Sequence, residues 1–191
     1  MILKRKIYSK LLNWKNECKG TKAIMVEGAR RIGKSTIVEE FARQEYRSYI
    51  IIDFAKKDKI VEEYFNQYLN NLDDFFMLLG TYYGVNLVAR NSVLIFDEVQ
   101  MFPQARAAIK YLVADGRYDY IETGSLISIR ENVKDIVIPS EERSITMYPL
   151  DFEEFAWAFG EKQLINYLCS SYFLFHFSWV VCLLFFYLRK F

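Results

Sequence analysis

Gly28-Ala29-Arg30-Arg31-Ile32-Gly33-Lys34-Ser35 lies between an apolar run, Lys22-Ala23-Ile24-Met25-Val26-Glu27, and Thr36-Ile37-Val38-Glu39-Glu40-Phe41-Ala42-Arg43. The octapeptide fits the phosphate-cradling pattern G-x-x-x-x-G-K-[ST] in full. The run before it is rich in β-forming residues, and Ile37, Val38, Phe41 and Ala42 after it recur at helical spacing. Strand, glycine-containing loop and helix in that order predict a nucleoside triphosphate site at the start of an α/β sheet. The alternative is an ordinary strand-to-helix turn that happens to carry Lys-Ser.

The residue types follow from the charge to be bound. Polyphosphate oxygens need several converging donors, and consecutive backbone N–H groups in a tight loop supply them. Gly28 and Gly33 are expected to adopt dihedrals closed to other residues and to let the backbone approach closely. A helix opening at Lys34 adds unpaired N–H groups and the positive end of its dipole. Lys34 has the reach for the β- and γ-phosphates, and the Ser35 hydroxyl is a candidate Mg²⁺ ligand. Ala29, Arg30, Arg31, Ile32 and Thr36 complete the loop that would contact the nucleotide.

Working outward, Val93-Leu94-Ile95-Phe96-Asp97-Glu98 is an apolar strand ending in two carboxylates. Asp97 is expected in the Mg²⁺ shell beside Ser35, and Glu98 is the candidate to polarise the attacking water. Standing alone, the pair would read as the start of a turn. Thr123-Gly124-Ser125 ends a further strand, where a hydroxyl of Thr123 or Ser125 would sense the γ-phosphate or cap a turn. Gln100 is either a holder of the Glu98 rotamer or a surface turn residue.

The remaining periodicities predict helices over 3–17, 56–69, 72–84 and 103–114, the last opening on Pro103 at its first position. Strands are expected at 48–53, 92–97, 118–123 and 145–148. The continuous apolar run Tyr49-Ile50-Ile51-Ile52 suits a central or buried strand. Asp151, with Glu154 three residues on, is a capping-box start for one more helix. Strands alternating with helices imply a parallel sheet covered on both faces, with ligands beyond the carboxyl ends of its strands.

Composition limits the other classes. Lys plus Arg total 25 and Asp plus Glu 24, leaving a net charge of +1 and no clear nucleic-acid signal. Lys4-Arg5-Lys6 reads as a solvated face. Three scattered cysteines suit a reducing, cytoplasmic setting, and the single histidine, His176, makes histidine-based triads and metal sites poor candidates. No secretory signal is visible at the N-terminus. Asn132-Val133-Lys134-Asp135 lacks the order of a guanine-selecting motif, and Gly28-Ala29-Arg30 breaks a dinucleotide fingerprint.

Taken together, the loop at 28–36, Phe96-Asp97-Glu98-Val99-Gln100, Thr123-Gly124-Ser125 and Met147-Tyr148-Pro149-Leu150-Asp151-Phe152-Glu153-Glu154-Phe155 resemble a prokaryotic AAA-type P-loop ATPase family. The resemblance covers residues 1–163. It implies a three-layer P-loop NTPase fold of the additional-strand type, order 5-1-4-3-2, and the cofactors ATP and Mg²⁺. By motif, Gly28, Gly33, Lys34 and Ser35 contact the nucleotide, Asp97 is the second metal-site residue, Glu98 the catalytic carboxylate, and Thr123 or Ser125 the sensor. Such sites often take an arginine in cis or from a neighbour, and Arg106, Arg117, Arg130 and Arg143 are the candidates, each otherwise a surface residue. A homo-oligomer or a partner protein would be the recipient of the nucleotide-driven change.

Members of that family usually continue into a domain resembling restriction endonucleases. Residues 164–191 are instead an aromatic tail that is uncharged from Leu164 to Leu188, with no Asp, Glu, Lys or Arg, and ends with Arg189-Lys190-Phe191. The readings are a truncation or frameshift remnant, a membrane-spanning helix over 164–188, or a packed element. The expected function is Mg-dependent ATP hydrolysis driving a conformational switch. A switch module with little hydrolysis, or a small-molecule kinase, is the alternative.

Overall fold

The structure is a computed structural model that describes residues 3–125 and 141–158. The chain divides into two units, Met1–Pro149 and Leu150–Phe191. The first holds five strands and five α-helices among its described residues: α1 (Lys6–Cys18), β1 (Ala23–Gly28), α2 (Lys34–Glu45), β2 (Ser48–Asp53), α3 (Lys59–Gln67), α4 (Leu72–Tyr83), β3 (Ser92–Asp97), α5 (Pro103–Asp115), β4 (Asp119–Ser125) and β5 (Glu142–Met147). One described helix, α6 (Phe152–Ala158), belongs to the second. Asp151 and Glu154 there exchange the reciprocal capping bonds, Glu154 N–H to Asp151 Oδ1 at 2.8 Å and Asp151 N–H to Glu154 Oε2 at 3.2 Å.

The five strands form one parallel sheet in the order β2-β3-β4-β1-β5. That is the additional-strand order the resemblance implies. Residues 48–53, expected as a central or buried strand, are buried at Ile50 and Ile52 but not central, because β2 is an edge strand. Its apolar run persists since both faces are covered even at the edge: Ile50 and Ile52 are buried among α3, α4 and α5, while Tyr49 and Ile51 pack on the opposite face.

Alternation along each strand sorts the core into two layers. Ile24, Val26, Val93, Ile95 and Ile121 face Ile7, Leu11 and Trp14 of α1 and Ile37, Val38 and Phe41 of α2. Met25, Leu94, Phe96 and Tyr120 face the other way, onto α3, α4 and α5. In that second layer Phe65 sits 5.0–5.8 Å from the rings of Phe54, Phe75, Phe96 and Phe102, edge-on to each. Phe102 and buried Val99 flank the turn that follows Glu98, so the aromatic cluster anchors that turn from below. No helix among the described residues is long and apolar enough to cross a membrane. The tail, the domain boundary at 163 and Arg130 lie outside the described residues.

Candidate functional site

The loop between β1 and α2 has the backbone its sequence demands. Arg31 at φ 62° and Gly33 at φ 89° are both left-handed, so the intervening amides turn toward a common centre. Gly33 caps α2 without a side-chain bond, leaving the first N–H groups of the helix open. Gly28 is needed for a different reason than the one expected. Its φ is not positive, but a Cβ there would lie 2.4 Å from the Met147 carbonyl oxygen and 2.9 Å from Ile32 Cδ1. Close approach of β5, rather than an unusual dihedral, requires the glycine.

Lys34 is only 4% exposed, and its ammonium donates to the loop carbonyls of Ala29 at 2.8 Å and Gly28 at 3.4 Å. Burial lowers its pKa, Glu98 and Asp97 pull it back up, and Arg30 lowers it further. A cation desolvated at a loop of inward amides and facing two carboxylates is the electrostatic arrangement of an anion site with a cation rim. Ala29, Arg30, Ser35 and Thr36 are exposed and Ile32 half-buried, so the loop's outer surface is open to solvent.

Parallel register brings the strand ends to this loop. Gly28 is level with Ser125, and Val26 with Thr123. Asp97 ends β3 on the face that carries Val93 and Ile95, the α2 face. Its Oδ1 accepts from the Ser35 hydroxyl at 2.7 Å and from the Thr123 hydroxyl. Thr123 Oγ1 in turn accepts the Glu98 N–H at 3.2 Å. One hydroxyl on β4 thereby fixes both carboxylate residues at the end of β3. Thr123 and Ser125 are buried, and Ser125 stands at the carboxyl end of β4 beside Gly28.

Glu98 is left-handed, at φ 52° and ψ 46°, a conformation that costs a non-glycine residue about 1 kcal/mol or more. The reversal it produces, followed by a single 3₁₀ turn at Val99–Met101, carries Gln100 back toward it. Gln100 Nε2 donates to Glu98 Oε2. At 3% exposure, Gln100 is not a surface turn residue.

The arginine candidates are engaged elsewhere. Arg106 is buried and bonded to Glu142 at 2.9 and 3.1 Å, on the sheet face away from the loop. Arg117 pairs with Asp115 and Asp73, and Arg143 with Glu17. None of the three reaches Asp97 or Glu98 within this chain, and Arg106 is not a surface residue. Sequence reasoning also missed Arg5. It is buried, and its guanidinium donates to the Ile32 carbonyl at 3.0 Å and the Tyr148 carbonyl at 2.6 Å, tying the loop to the chain that leaves β5. Within Lys4-Arg5-Lys6 nothing in the charge pattern singles out the middle residue. Only its position just ahead of the apolar stripe of α1 hints that it points inward.

A family model described as AAA domain matches residues 20–156. Among solved structures the chain is similar to PCH-2 of C. elegans, at 13% identity and a TM-score of 0.43, covering 79% of this chain and 44% of that one. The chain thus spans less than half the length of PCH-2. No curated protein matches it. With the family match running from before β1 to within α6, and the loop and strand ends gathered as described, the chain belongs to the AAA domain family and has a nucleotide-binding function of the ATPase type.

Proposed function

We propose that this chain hydrolyses ATP with Mg²⁺ at the loop between β1 and α2, and that the nucleotide state drives a conformational switch. The observation that carries the reading is the 2.7 Å bond from Ser35 Oγ to Asp97 Oδ1. It joins the phosphate-type loop to the acidic strand end, two motifs 62 residues apart in sequence. A hydroxyl and a carboxylate are the hard oxygen donors that Mg²⁺ takes. The left-handed turns at Arg31 and Gly33, with the desolvated Lys34 ammonium, suit the phosphates.

Bound Mg-ATP supplies an electrophilic γ-phosphorus whose bond to the β,γ-bridging oxygen is the one that breaks. The backbone amides of Gly28–Ser35 and the Lys34 ammonium hold the phosphate oxygens, with Ala29, Arg30, Arg31, Ile32 and Thr36 shaping the loop. Ser35 and Asp97 would hold the Mg²⁺, which would offset charge on the phosphate oxygens. Glu98 orients a water for in-line attack and accepts its proton as the new P–O bond forms; ADP leaves with the electron pair of the broken bond, and Glu98 later gives the proton back to solvent. Thr123 keeps Asp97 and Glu98 in register with each other, and the sensor hydroxyl is that of Thr123 or Ser125. Arg5 supports the switch: its two carbonyl bonds make any movement of the loop felt at Tyr148.

The test is Glu98→Gln. ATP affinity stays within about threefold of the wild type while phosphate release falls by roughly 10²- to 10⁴-fold. Turnover equal to wild type refutes the role of Glu98. Binding of ATP by the wild type with no phosphate release would leave the chain a nucleotide-dependent switch.

A further inference from the structure

We infer that Gln100 is a positioning residue for this reaction, orienting the Glu98 carboxylate through its side-chain amide. The inference rests on the proposed role of Glu98 and assigns what holds that carboxylate in place. Gln100 lies two residues beyond Glu98 and is buried beneath it by the left-handed reversal. Its Nε2 donates to Glu98 Oε2, and the opposite orientation of the amide would set its oxygen against a carboxylate, so the donor is assigned by the chemistry of its partner. One Glu98 oxygen is thereby occupied, leaving Oε1 as the atom to meet a water proton.

A second observation separates positioning from packing. Gln100 Oε1 is buried and has no hydrogen-bond partner. An unmet buried acceptor weakens a fold, and an apolar side chain of the same length would remove the penalty. The glutamine is thus locally unfavourable for stability at the one place where its other end reaches the reactive carboxylate. Sites that break local rules in this way tend to be functional ones.

The experiment uses the 191-residue chain with Gln100→Met, which keeps the length and removes the donor, alone and combined with Glu98→Gln. Gln100→Met is expected to lower kcat by about 10- to 100-fold with KM and ATP affinity unchanged. Its Tm is expected to equal or exceed that of the wild type. In the Glu98→Gln background the same substitution causes no further loss. Unchanged kcat in Gln100→Met, where Glu98→Gln is impaired, overturns the inference and leaves the role of Glu98 standing. A loss that persists undiminished in the Glu98→Gln background, or one accompanied by a lowered Tm, also overturns it. Wild-type turnover in Glu98→Gln removes both readings together. A readout without turnover is the ¹⁵N-resolved side-chain amide of Gln100 in the nucleotide-free protein. Its resonance moves, and its exchange with solvent quickens, in Glu98→Ala; a signal that stays put means that the two side chains are not joined.

Discussion

At the scale of single residues, the site is built from close approaches more than from unusual side chains. Gly28 shows the difference. The loop motif calls for glycine there, yet the tightest constraint comes from behind, where the Met147 carbonyl of β5 would meet a Cβ at 2.4 Å. Backbone cannot swing aside as a flexible side chain can, so Gly28→Ala must push β5 away from β1 or deform the loop. Overpacking of this kind costs about 1–3 kcal/mol. Gly28→Ala is therefore expected to lower the unfolding free energy measured by urea denaturation by that amount and to weaken ATP binding together with it. Gly33→Ala fails differently: a Cβ there meets nothing within 4 Å, and the penalty is the left-handed φ of 89° alone, about 1 kcal/mol. Equal stability of Gly28→Ala and wild type would show that β5 yields where the structure has it in contact.

At the scale of elements, β4 carries the site on one face and an ionisable cluster on the other. Thr123 points to Asp97 and Glu98, while its neighbour Glu122 points away, fully buried, toward Arg106 of α5 and Glu142 of β5. Arg106 bonds Glu142 at 2.9 and 3.1 Å but stands 3.9 Å from Glu122, so two acids share one cation unequally. Burial first, and then the Glu142 charge, raise the Glu122 pKa well above its usual 4.5; Arg106 only partly opposes them. A carboxyl raised in the folded state holds its proton to higher pH than in the unfolded chain. Its contribution is fully present below about pH 4.5 and is lost as pH rises through the folded value. Wild-type stability is thus expected to decline from pH 5 toward pH 8. Glu122→Gln, which keeps a donor toward Glu142 without a charge, is expected to flatten that decline and to be more stable at pH 8 by on the order of 1–3 kcal/mol. Denaturant melts at both pH values check it, and parallel pH profiles for the two proteins would refute it. None of this was legible in Tyr118-Asp119-Tyr120-Ile121-Glu122-Thr123, because a strand sequence states alternation but not which helix lies over each face. The loop, β3 and the Asp97-Glu98 pair were legible, since backbone chemistry and local periodicity decide them. The inward turn of Arg5 was not, because it depends on the Ile32 carbonyl, 27 residues away; the edge position of β2 came from the resemblance and not from the periodicity of 48–53.

At the scale of the whole molecule, the first unit is a sheet whose loop between β1 and α2 ties several elements at once. α2 starts from it, Asp97 of β3 bonds Ser35 within it, Met147 of β5 lies against Gly28, and Arg5 ahead of α1 holds the Ile32 carbonyl. A ligand that orders this loop therefore braces β1, β3, β5 and both helices of the α1–α2 face, and its binding energy enters the global unfolding equilibrium. At a free ligand concentration of 100 times Kd the gain is about 2.7 kcal/mol. For a chain of this size that is a rise in Tm of about 5–10 °C. Mg-ATP is expected to produce such a rise in the wild type, and to do so equally in Glu98→Gln, because the role proposed for that carboxylate is in turnover and not in binding. Lys34→Ala is expected to abolish it, because the ammonium is the desolvated cation of the loop to which the proposed function assigns the phosphates. Differential scanning fluorimetry across a Mg-ATP titration distinguishes these cases. An identical rise in Lys34→Ala would put the nucleotide elsewhere on the molecule, and no rise in the wild type at millimolar Mg-ATP would separate this loop from nucleotide binding altogether.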